Sequence, residues 1–155
     1  MNLIAIIHFV ALLSTGLLAG ILLGDRVGLG FARPVLPVGC FVQLQQIQHR
    51  YFVRMMPVLQ LAALLSTLTW LFLPRSSVRS PGFVLVGCAA AGLVCVFLLT
   101  LRVNVPINNT LMTWSASAPP ANAMEVWKSC EQVNTVRAIL SPIVFALEVL
   151  ALIVA

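Results

Sequence analysis

The chain has 155 residues, of which 61% are hydrophobic and only 8% charged, against about 25% charged in an ordinary soluble domain. Its mean hydropathy of +1.05 leaves too little polar surface for a water-soluble globule. A net charge of +5 does not point to nucleic acid, because the nine cationic residues are scattered beside apolar runs with neither a cluster nor a stacking platform.

The first apolar stretch, Leu3 to Leu23, has the ~20 residues that cross a bilayer. No charge precedes Asp25 and no A-x-A site follows, so it reads as a span and not as a secretory signal. Gly16, Gly20 and Gly24 form a small-residue ridge that suits close helix packing within a bundle, or a homo-oligomer face. A loop broken by Gly28, Gly30, Pro34 and Pro37 follows. Phe41 to Met56 then reads as a helix running straight into the second span, Phe52 to Leu73, with Pro57 as a kink. Gln45 and His49, four apart, share a face of that helix with Phe52 and Met56, and Gln46 lies beside them.

After a short loop, Pro74 to Pro81, comes the third span, Phe83 to Leu101, in which Gly87, Ala91, Gly92 and Cys95 read as packing residues, as does Cys88. Asn104, Asn108 and Asn109 surround Pro106 and are expected to end this helix. Asn122 and Glu125 have the spacing of a capping box, so the fourth helix is expected to start there and run through the span Val136 to Ala155, kinked at Pro142. Asn134, Arg137 and Ser141 fall at i, i+3 and i+7, a polar stripe on an apolar helix. His8 and Glu148 each lie seven residues from a terminus, and matching depth predicts that they pair.

The chain therefore reads as all-α: one four-span transmembrane domain over residues 1–155, an integral membrane bundle with two long Pro-kinked helices. Arg26, Arg33, Arg50, Arg54, Arg102, Lys128 and Arg137 flank the two long loops, whereas Arg75 and Arg79 flank the short one. The positive-inside rule puts both long loops in the cytosol and both termini outside. Cys40 and Cys130 are then expected to be reduced, and the sequon at Asn108 unused.

Three polar groups share that side at similar depth: the Gln45, Gln46 and His49 segment, the Asn104 to Asn109 segment, and Asn134 with Arg137. Unsatisfied polar groups in hydrocarbon cost several kcal/mol. These residues either satisfy one another at the broken helix end or form a site.

The strings NVPINNTLMTW at 104–114 and MEVWKSCEQVNTVRAI at 124–139 resemble the anthrone oxygenase-like family of small four-helix membrane proteins. Its pattern N-x-P-x-N-N falls on Asn104, Pro106, Asn108 and Asn109, and its W-x7-N-x2-R on Trp127, Asn134 and Arg137, although Trp127 is seven positions before Asn134. FVQLQQIQHR at 41–50 resembles its glutamine-containing segment, with Gln46 at the glutamine and His49 where an asparagine is expected. The resemblance implies a membrane-embedded oxygenase acting on a lipophilic aromatic or polyketide-type molecule.

Such chemistry needs a base for an acidified methylene, donors for the enolate oxygen and an apolar pocket. Arg137, Asn134, Asn104, Asn108 and Asn109 can supply donors, and His49 or Glu131 the base. Gln46, Trp114 and Trp127 are candidate substrate contacts, with Tyr51 and Phe52 further aromatic flanks. With two histidines and four acids and no metal-ligand spacing, no multi-histidine or di-iron centre is expected, and no cofactor, although haem on a single histidine stays open. Expected partners are the bilayer and a hydrophobic small molecule. The competing reading is a non-catalytic membrane protein that binds or transports a hydrophobic ligand or supports a membrane complex.

Overall fold

The computed structural model describes residues 2–72 and 80–154, so most of the expected loop Pro74 to Pro81, with Arg75 and Arg79, lies outside the described residues. Helix α1 spans Leu3–Gly28 and is capped by Asn2, whose side-chain oxygen accepts from the Ala5 backbone N–H at 2.8 Å. A 3-10 turn, Arg33–Val35, leads into α2, Val38–Leu71. Helix α3, Pro81–Leu99, starts with Ser80 accepting from the Phe83 N–H at 3.2 Å and with Pro81 in the first turn, where a missing donor costs nothing. The long final helix is α5, Ala123–Ile153. Four helices are long and apolar enough to cross a membrane, and there is no strand among the described residues. The protein is an all-helical, four-helix membrane bundle.

The third helix does not stop at the asparagines. It widens into a π-helical segment, Thr100–Asn104, and continues as α4, Val105–Met112, with Pro106 in the first turn of α4. The cause is proline: residue 106 has no N–H for the Arg102 carbonyl, and its ring crowds that turn. A π turn, closed by the Val105 N–H on the Thr100 carbonyl, relieves both problems without ending the helix. Pro57 and Pro142 lie inside α2 and α5, as expected. The predicted capping box does not form: Asn122 precedes α5 but makes no side-chain capping bond.

Around the bundle, α1 packs on α2 and α5, and α3 packs chiefly on α5, so the ring closes at the α2–α3 seam, where the contact is sparest. Leu18, Leu22, Met56, Ala63, Leu93 and Val144 fill the middle. Phe41, Val42, Leu111, Trp127 and Cys130 form a second cluster at the end of the bundle that carries the long loops. Outward, Leu17, Leu65, Val84, Leu98 and Ile139 are all exposed, the apolar belt that lipid requires.

Close approach is confined to particular small residues. A Cβ at Gly92 would collide with Val144 Cγ2, so α3 and α5 meet there, and a Cβ at Gly16 would lie 3.1 Å from the Phe145 ring. Gly20 and Gly24 meet nothing within 4 Å, and Cys88 and Cys95 are exposed. Neither the lower part of the α1 ridge nor the two α3 cysteines pack the bundle as expected.

The expected His8–Glu148 pair is replaced by two separate contacts. His8 stacks on Trp70 with ring centroids 4.2 Å apart. Glu148, fully buried, accepts a hydrogen bond from the Thr67 hydroxyl at 2.5 Å. Among the described residues no hydrogen bond or ion pair joins the two. Equal depth does not fix rotation about the helix axis: His8 turns to Trp70 of α2 and Glu148 to Thr67 of the same helix.

Candidate functional site

At the loop end of the bundle α2, the α3–α4 helix and α5 surround a cavity of about 180 Å³. Helix α2 contributes Gln45, Gln48, His49, Phe52, Met56 and Gln60, successive inward positions of one face. The π segment and α4 contribute Thr100, Asn104 and Asn108, and α5 contributes Trp127, Asn134 and Arg137. Of the residues expected from sequence, Asn104, Asn108, Asn134, Arg137, His49 and Trp127 thus lie around one cavity.

Three expected residues lie elsewhere. Asn109 is exposed, because 100° of helical rotation separates it from Asn108. Gln46 donates to the carbonyls of Leu111 at 3.1 Å and Trp114 at 2.8 Å, satisfying the C-terminal end of α4. Trp114 packs against the Phe41 and Trp127 cluster instead of lining the cavity.

The polar wall is built around Asn134. Its carbonyl oxygen accepts from Asn104 Nδ2 at 2.6 Å and from Arg137 Nη1 at 3.2 Å. Asn104 Nδ2 also lies 3.1 Å from Cys130 Sγ. Arg137 is 5% exposed, and among the described residues it forms no ion pair. Several hydrogen-bonding atoms here remain unpaired: Arg137 Nε, Asn104 Oδ1 and Gln45 Nε2. Buried polar atoms are nearly always partnered, so a cavity wall that carries three such atoms is equipped for a polar ligand group.

The charges beside the cavity form a network that sequence spacing did not reveal. Arg33, only 2% exposed, donates to Asp25 at 2.6 Å and to Glu131 at 3.3 Å, and its guanidinium lies 5.8 Å from the Trp127 ring centroid. Arg26 pairs with Glu131 at 2.6 Å, and Gln48 bridges to Asp25 at 2.5 Å. Two arginines and two carboxylates therefore cancel, which leaves the charge of Arg137 uncancelled. Glu131, expected as a possible base, is held by Arg26, Arg33 and Trp127 Nε1. His49 lines the cavity and has no hydrogen-bond partner among the described residues.

Asp25, Arg33, Gln48, Gln60 and Thr100 line the cavity but were not singled out as site residues from sequence. The signal available for the first two was scarcity: with four acids in the whole chain, a carboxylate flanking a span is where a buried arginine must turn.

A four-span bundle with an arginine-bearing cavity at one end is a small membrane protein built around an internal site. The chain belongs to the anthrone oxygenase family, whose sequence profile matches residues 47–147. That region holds His49, Asn104, Asn134 and Arg137 and leaves out Asp25, Arg33 and Gln45. No curated protein and no solved structure matches the chain.

Proposed function

We propose that the protein is a membrane-embedded oxygenase-like enzyme that oxidises a carbonyl-activated methylene of a lipophilic aromatic or polyketide-type molecule. The observation that carries this reading is Arg137: a buried guanidinium with no carboxylate partner among the described residues, on the wall of a mainly apolar cavity. Such a group stabilises negative charge that develops during a reaction, because nothing in the ground state has neutralised it.

In the proposed sequence His49 removes a proton from the methylene, and the enolate oxygen gathers its charge against Arg137, with the amides of Asn134 and Asn104 holding that guanidinium in place. The enolate carbon then gives electrons to molecular oxygen, forming a carbon–oxygen bond and, after proton return, a hydroperoxide. Loss of the remaining carbon-bound proton breaks the oxygen–oxygen bond. The methylene becomes a carbonyl, one oxygen atom enters the product and the other leaves as water. Dioxygen takes up the four electrons, so the scheme needs no resident cofactor. Trp127 and Phe52 would flank the rings, while Gln46, Trp114 and Asn109 have no part in it.

Purified protein in vesicles, given an anthrone, is expected to consume one oxygen per ketone formed and to show no Soret band. A Soret band would transfer the oxygen chemistry to haem. Binding of anthrones without any oxygen uptake would leave a ligand-binding protein instead.

We also propose that the cavity end faces the cytosol. Arg26, Arg33 and Arg137 are committed to the site, but Arg50, Arg54, Arg102 and Lys128 are exposed at the same end, against the two cations, Arg75 and Arg79, that the sequence places between the second and third spans. Cys40 is exposed and Cys130 buried, so Cys40 is the thiol that reports sidedness. An impermeant maleimide should miss Cys40 in intact cells and label it in inverted vesicles; labelling in intact cells would invert the topology.

A further inference from the structure

The cavity is not closed on all sides, and part of its rim is apolar and exposed. Below His49, its rim on α2 is Val53 and Pro57; on the opposing helix it is Leu101 and Val105. All four are exposed, Val53 at 52%, Leu101 at 46% and Val105 at 40%. The same cavity is lined by Phe52 and Thr100, which are half-buried, and by Met56, Asn104 and Arg137, which are buried. The opening follows the α2–α3 seam, where the ring of helices is least tightly joined and where Gln60 Nε2 donates to Thr100 Oγ1 at 3.2 Å. The π segment shapes one lip: its extra residue per turn keeps Leu101 outward and Asn104 inward.

Depth and size agree with this view. Val53 and Pro57 fall within the second apolar span and Leu101 at the end of the third, beside the exposed cations Arg54 and Arg102, so this part of the rim lies where the hydrocarbon meets the loop-side boundary. A cavity of 180 Å³ is little larger than the about 150 Å³ that admits one benzene. A larger molecule must therefore extend through the rim into lipid.

We propose that this cleft is a lateral mouth, through which an amphiphile dissolved in the bilayer enters and seats an anionic or enolisable oxygen on Arg137 while its apolar remainder lies between α2 and α3. The mouth rests on the reading of the cavity as a substrate site and not on the oxygen chemistry. Along the α2–α3 seam the rim residues Val53, Pro57, Leu101 and Val105 are apolar, whereas the buried wall offers an uncancelled cation and unpaired amides. That order, apolar outside and cationic inside, fits a molecule that arrives from lipid with its polar end leading.

The test uses the full chain in phosphatidylcholine vesicles with a long-chain fatty acid bearing a mid-chain diazirine, and in parallel its methyl ester. After irradiation, adducts are mapped by mass spectrometry. The acid is expected to label inward-facing Met56 and Thr100 more heavily than the ester does, while both label outward-facing Leu65 and Val84 equally. Val53→Trp together with Leu101→Trp should fill the mouth and abolish the inner adducts without altering the outer ones, which also report that the variant is folded. Should the double variant not fold, Val53→Phe and Leu101→Phe singly serve the same purpose. Arg137→Gln should reduce labelling by the acid to the level of the ester. Inner adducts that persist with the mouth filled, an inner wall that neither probe labels, or equal inner labelling by acid and ester would each overturn the proposal. Since the measurement reads occupancy and not turnover, a protein that takes up the acid but consumes no oxygen keeps its mouth and loses only the oxygenase reading.

Discussion

Arg137→Lys is expected to lower oxygen uptake by about a hundredfold, and Arg137→Met by more, on the scale of removing one preorganised donor from an anion-stabilising site. Lysine keeps the charge but loses the planar fork, two of whose nitrogens have defined settings here: Nη1 on Asn134 and Nε unpaired. Stability should move the other way. Because no carboxylate is paired with Arg137 among the described residues, Arg137→Met removes a buried charge without stranding an opposite one, so the variant should unfold at the same temperature or higher. Activity and stability thus change in opposite directions, which a guanidinium kept for architecture would not do. If Arg137→Met lost its fold in detergent while Arg137→Lys remained fully active, the arginine would be structural and the proposed site would be wrong.

Much of this site was legible because helical periodicity is strict. Gln45, His49, Phe52 and Met56, spaced by four, three and four, had to share a face, and they share the cavity. Asn134 and Arg137 at i, i+3 had to meet, and they are hydrogen-bonded. What periodicity could not supply is which neighbour of a good position is the better one. Gln46 sits one residue from Gln45, and that 100° step turns it from the cavity to the carbonyls that end α4. A second illegible feature was the fate of the third helix. Asparagines around a proline are the usual mark of a helix end, yet a π turn absorbs Pro106 and carries the chain onward, so the same residues that were expected to end the helix form its cavity wall.

The charge network was hidden for a different reason. Arg26 and Arg33 are 105 and 98 residues from Glu131, and no local pattern relates positions so far apart. By sequence alone Arg33 belongs with Arg50, Arg54 and Arg102 as a cation beside a span. In the fold those three are exposed and Arg33 is buried. Its burial follows from Pro34 and Pro37, which turn the chain between α1 and α2 through a short 3-10 segment and carry residue 33 beneath the Trp127 ring. Counts of positive charge at membrane boundaries therefore mix residues that orient the protein with residues that hold it together.

That distinction gives the second large expected effect. Arg33→Met should destabilise the protein by about 3–5 kcal/mol, the cost of breaking a buried ion pair from one side, which is a large part of the about 5–15 kcal/mol that ordinarily separates folded from unfolded. Glu131 would keep Arg26 and the Trp127 N–H. Asp25 would keep only the Gln48 amide, so Asp25 is the group left stranded, with a side chain 13% exposed. Arg33→Lys should recover only part of the loss, since an ammonium cannot span Asp25 and Glu131 as the two Nη atoms do. Arg50→Met, at an exposed position, should change stability by no more than about 0.5 kcal/mol. Thermal unfolding in one detergent compares all three. The decisive variant is the double, Arg33→Met with Asp25→Leu: if the loss comes from a stranded carboxylate, removing that carboxylate restores part of the stability, and the two substitutions are strongly non-additive. Additive losses would mean that Arg33 does no more than fill space under Trp127, and the paired charges beside the cavity would then have no bearing on why the buried Arg137 is left uncompensated.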